Sequence, residues 1–83
     1  MNNIIERKLA AGVLPDRPPV KSWAGFGTGE NCDGCDQAIP ETEVEHELEF
    51  AGSVTRRFHA GCEQIWRELL VAKKTRPATS GGA

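Results

Sequence analysis

The sequence predicts a small α+β domain that needs a staple besides its hydrophobic core. Three observations carry that expectation. The chain has 83 residues, enough for one small domain, and domains of this size bury too little surface to be comfortably stable alone. Its three cysteines and one of its two histidines fall into two close pairs, Cys32 with Cys35 and His59 with Cys62. Between the pairs the apolar residues alternate with a period of two, and after them they follow the period of a helix.

Taken in order, residues 3–11 read as a short helix with Ile4, Ile5 and Leu9 on a partial apolar face and Asn2 or Asn3 as a cap. Gly12 and Pro15 end it. A helix this short must dock on something. Residues 13–31 hold Pro15, Pro18, Pro19, Gly25, Gly27 and Gly29 and are expected to lack regular structure. Val20, Trp23 and Phe26 are the apolar residues expected to run that segment across the core. The series Gly25–Phe26–Gly27–Thr28–Gly29 lacks the Lys-Ser/Thr pair and the strand–loop–helix setting of a phosphate loop. It reads as a flexible approach that lets backbone pass close to the expected zinc loop.

Residues 42–50 alternate, with Glu43, Glu45, Glu47 and Glu49 on one face and Val44, His46, Leu48 and Phe50 on the other. That is a half-buried strand with the even positions inward, held by packing because glutamate is a poor strand former. Ala51–Gly52–Ser53 is a turn and residues 54–58 the returning strand. Residues 60–74 place Cys62, Ile65, Trp66, Leu69 and Leu70 on one helical face. Glu63 near the start of that helix and Lys73, Lys74 and Arg76 near its end suit the helix dipole, and Pro77 stops it. The expected organisation is residues 1–29 packed on a domain of residues 30–74, with residues 75–83 a disordered tail.

The two pairs give the pattern C-x2-C-x23-H-x2-C. Two ligand pairs separated by a hairpin are a strong signal for zinc. In Cys32–Asp33–Gly34–Cys35 a tight turn aims both thiolates at one ion. In His59–Ala60–Gly61–Cys62 residues three apart share one side of a first helical turn, whose N-terminus favours a thiolate. Four protein ligands, Cys32, Cys35, His59 and Cys62, leave no open position, so the Zn2+ is expected to be structural. The competing reading is a redox dithiol at Cys32 and Cys35, whose usual βαβ setting is missing. An odd number of cysteines, three, disfavours a secreted disulfide framework. No signal-like N-terminus or membrane-spanning run is found, so a cytoplasmic location and no membrane partner are expected.

A cysteine turn, a hairpin and a helix bearing the second ligand pair resemble a treble-clef zinc finger. Cys32–Asp33–Gly34–Cys35, Ile39 and Arg57–Phe58–His59–Ala60–Gly61–Cys62 are similar to the Cys-Cys-His-Cys fingers of poly(ADP-ribose) polymerases and to the first zinc module of LIM domains. The resemblance spans Cys32 to Trp66, under half the chain. It implies the fold and the four ligands. No cysteine follows Cys62, so a second LIM module has no counterpart.

Charge is unevenly spread. Residues 30–49 carry −8, residues 53–76 carry +4 and residues 1–29 carry +2. The acidic row is a solvated strand face or a grip for a basic partner. Arg56, Arg57, Arg67, Lys73, Lys74 and Arg76 would have to cluster to bind nucleic acid, and a pI near 5.6 is below the usual range for such a binder. His46 is read as a core-edge residue; as a catalytic base it would need a convergent acid/base set. The expectation is a non-enzymatic protein-interaction or regulatory adaptor with an unidentified protein partner, met by Trp23 (whose other reading is a partner anchor), the acidic hairpin face or the C-terminal helix. The alternative is a nucleic-acid-binding finger using the basic C-terminal third.

Overall fold

The computed structural model describes residues 2–75, with side chains described from 3 to 73. The expected tail, apart from Thr75, lies outside the described residues. The elements run α1 (Asn2–Ala10), β1 (Lys21–Phe26), β2 (Val44–Phe50), β3 (Val54–His59) and α2 (Ala60–Thr75). The strands form one antiparallel sheet in the order β1-β2-β3. No described helix is long and apolar enough to cross a membrane.

α1 forms where its apolar residues predict it, and both Asn2 and Asn3 fall inside its span. It ends in a Schellman cap: Val13 N–H donates to Lys8 O at 2.9 Å and Gly12 N–H to Leu9 O at 3.2 Å. Ile5 and Leu9 are buried, and with Leu14 they join the same core as Leu48, Phe50, Phe58, Trp66 and Leu70. Trp66 is the centre of that core. Phe58 stacks on it at 5.7 Å between centroids, and Phe50 meets it edge-on at 5.8 Å. Its indole N–H donates to Pro15 O at 2.8 Å, so the one polar atom of a fully buried ring is satisfied.

Part of the segment expected to be irregular is a strand. Lys21–Phe26 pairs along β2 from Lys21↔Glu49 to Phe26↔Val44. Hydrogen bonds from Val20 N–H to Glu49 O and from Gly27 N–H to Glu43 O, each 2.8 Å, close its two ends. Val20, Trp23 and Phe26 are not core anchors: they are 62%, 50% and 77% exposed. Leu14 takes the place in the core that the sequence gives to them. The physical reason is position. β1 is the sheet's edge, and α2 packs against β2 and β3.

β2 also departs from its alternation. Leu48 and Phe50 point inward as expected, but Val44 is exposed and Glu45 is buried. Glu45 is drawn in by the Arg57 guanidinium at 2.9 Å and the Thr28 hydroxyl at 3.4 Å. A buried carboxylate is tolerable only with such partners. The acidic row is therefore not a uniformly solvated face, since the middle strand is flanked on both sides.

Candidate metal centre

The first ligand pair is built by a tight backbone turn. Cys32 N–H donates to Gln37 O at 2.7 Å, and Asp36 N–H donates to Cys32 O at 2.9 Å. A single antiparallel bridge, Asn31↔Ala38, closes the loop. Gly34 and Cys35 N–H groups both point at Cys32 Sγ, at 3.3 and 3.5 Å. The left-handed backbone of this turn falls at Asp36 (φ 69°), a residue type that tolerates it. Gly34 eases crowding instead: a Cβ there would stand 3.2 Å from Phe58 and 3.3 Å from Cys62 Cβ.

The turn is fixed to its surroundings by two groups. Asp33 N–H donates to Arg57 O at 2.8 Å, and Arg57 N–H donates back to Asp33 Oδ2 at 2.7 Å. That exchange ties the turn to β3 two residues before His59. Lys8 of α1 donates to Asp33 O at 2.9 Å and to Asp36 Oδ1 at 2.6 Å. Asp33 stands between the cysteines and is visible in the sequence. Nothing in the spacing discloses Lys8, which lies 25 residues from Asp33.

The second pair straddles a junction. His59 is the last residue of β3, not part of the helix, and Cys62 lies in the first turn of α2. His59 Nδ1 stands 3.4 Å from Cys35 Sγ and 3.9 Å from Cys62 Sγ. Its Nε2 is 3.0 Å from Ala38 O. Donation from Nε2–H to that carbonyl leaves the Nδ1 lone pair directed at the sulfurs, the arrangement a metal-binding imidazole needs.

The structure thus brings together all the residues that the spacing singles out. One ligand atom from each of Cys32, Cys35, His59 and Cys62 lies within 4.8 Å of the other three. A tetrahedron with sulfur about 2.3 Å from the ion has edges of about 3.8 Å, so this group can hold a metal ion. The three cysteines are unpaired by disulfide and 1%, 5% and 1% exposed. Burial and the neighbouring Cys32 and Cys35 push the Cys62 thiol up. Burial opposes charge on His59, but the Cys32 sulfur, the Ala38 carbonyl and Glu43 outweigh it and raise its pKa. Protons held this firmly are what an incoming cation displaces.

The other singled-out residues lie outside this group. His46 is half-buried in mid-sheet between Ala24 and Phe58 in register. Arg57 is spent on Glu45, Arg67 on Glu63 and Lys73 on Asp16. Arg56 donates to the carbonyls of Thr55 and Val13. Comparison with known protein families, with characterised proteins and with solved structures finds no match to this chain.

Proposed function

We propose that this chain is a small zinc protein whose one structural ion is held by Cys32, Cys35, His59 and Cys62, and that it acts as a non-enzymatic protein-interaction or regulatory adaptor. The observation that carries the first half is the convergence of three buried thiols and an oriented imidazole on one point. Three thiolates and a nitrogen at tetrahedral spacing suit zinc. The ion would supply cross-linking of turn, strand and helix, on the order of 10 kcal/mol of folding free energy in small zinc peptides. The order of cysteine turn, hairpin and helix supports a treble-clef arrangement.

Four protein ligands leave no position for substrate, which supports a binding role over a catalytic one. A protein partner is favoured over nucleic acid by the state of the cations. Arg57, Arg67 and Lys73 already face carboxylates, and phosphate contacts need free ones. The test is metal content by native mass spectrometry, followed by chelation and by salt-graded retention on immobilised nucleic acid. One zinc per chain, loss of structure on chelation and no salt-dependent retention are expected. A stable metal-free fold would sink the zinc reading, and steep salt-dependent retention would sink the protein-adaptor reading.

A further inference from the structure

The sheet has an open edge at β1. Gly27 N–H donates to Glu43 O, so in this register residues 21, 23 and 25 turn their backbone groups toward β2. The N–H and C=O groups of Ser22, Ala24 and Phe26 then face outward. Every residue of β1 is exposed. Natural edge strands are guarded by charge, proline or bulges. Here Pro18, Pro19 and Lys21 guard only the approach, and Ser22–Phe26 carries no charge and no proline.

Beside that edge lies a hollow of about 180 Å³, lined by Trp23, Gly25, Phe26, Thr28, Glu45 and Glu47. Gly25 is its bare floor, with nothing within 4 Å of where a Cβ would stand. Glu45 is engaged by Arg57. Glu47 stands in register between Trp23 and Arg57; its carboxylate makes no hydrogen bond or ion pair among the described residues, since Arg57 turns to Glu45.

We propose that β1 receives an extended basic segment of a partner protein as a fourth strand, with a Lys or Arg side chain lying across Gly25 to reach Glu47 beside the Trp23 indole. This rests on the adaptor reading and names the partner's chemistry. The residue opposite Gly25 on an added strand occupies a close, non-hydrogen-bonded pair and projects onto the same face as the glutamates. Its cation meets a carboxylate and an aromatic face together. Charge selects the occupant. Residues 30–49 carry −8, which attracts a basic segment and repels a phosphate backbone. A second copy of the chain would bring an identical acidic row.

The experiment uses the full, zinc-loaded chain and a fluorescein-labelled seven-residue peptide of alternating threonine and valine around one central arginine. A twin peptide carries glutamate at the centre. Anisotropy should show the arginine peptide binding at least about tenfold more tightly than its twin. Amide resonances of Ser22, Ala24 and Phe26 should shift. Glu47→Gln and Gly25→Val, each checked for an unchanged zinc content and dispersed spectrum, should each weaken binding by about tenfold or more. Equal binding of both peptides, no binding at millimolar peptide, indifference to both variants, or shifts confined to other surfaces would overturn the proposal. So would dimerisation through β1 in sedimentation, or competition by single-stranded DNA. A chain that holds no zinc or gives an undispersed spectrum fails the underlying reading instead. Failure of the peptide on a folded, zinc-loaded chain removes strand addition alone.

Discussion

Replacing Cys35 by serine removes one corner of a four-cornered candidate site and takes away a sulfur 3.4 Å from His59 Nδ1. Cys35→Ser should abolish stoichiometric zinc and unfold the hairpin and α2, as read by native mass spectrometry and circular dichroism. The acid side of the site is set by the held protons. Because the His59 pKa is raised and the Cys62 thiol is pushed up, lowering pH favours the protonated, metal-free chain. Zinc affinity should therefore fall as pH drops from 7.5 to 6, more steeply than about tenfold per unit if more than one proton is displaced, measured against a competing chelator. Asp33→Ala removes the acceptor of the Arg57 N–H and should cost about 1–2 kcal/mol in urea unfolding at saturating zinc. The candidate ligands are legible in the sequence because a chelating pair must be close along the chain. The Lys8 clamp is not, because a lysine that will reach a carbonyl 25 residues away looks like any surface lysine.

The hairpin and α2 announce themselves by period, since each buries one face against the other. β1 does not. Lys-Ser-Trp-Ala-Gly-Phe has no alternation, contains residues that disfavour strands, and pairs with a strand that begins only at Val44. Its strand state is imposed by the ladder to β2 rather than by its own preference. The same ladder explains Glu45, whose place on the polar face of an isolated hairpin becomes a buried one once β1 closes over its flank. Glu45→Ala leaves the Arg57 guanidinium without its carboxylate and should destabilise by about 1–3 kcal/mol, seen as a lower urea midpoint. The exit from β1 is tighter still. A Cβ at Gly27 would lie 2.3 Å from Pro40 O and 2.5 Å from Ile39 O, both backbone atoms with no room to yield. Gly27→Ala should cost about 1–3 kcal/mol or more by the same measurement, although it leaves every ligand in place.

Across the molecule, the metal group and the hydrophobic core are one body. Cys32, Cys35 and Cys62 belong to the same buried cluster as Ile5, Leu9, Leu14 and Trp66. If the proposed ion is bound, losing it should therefore release α1 together with the hairpin and α2, in a single transition. Chelation followed by amide hydrogen exchange should show protection lost in α1 and α2 alike; protection surviving in α1 would mean two independent units. The sequence shows the Cys/His group, the hairpin and α2 well because their constraints are local. It shows the attachment of the N-terminal segment poorly, because that attachment is made by Leu14 and by the bond from Trp66 to Pro15 O, 51 residues apart.

The chain's two tryptophans sit in opposite surroundings: Trp66 is sealed in the core and Trp23 is half open to solvent. They are a built-in pair of optical probes, one for each half of the molecule's behaviour. Trp66 emission should be blue and shielded from iodide while the ion is held, and should redden when it is stripped. Trp23 should be quenched by iodide throughout, and shielded only when something lies along β1. A single emission spectrum with and without quencher therefore separates folding from docking without any added label.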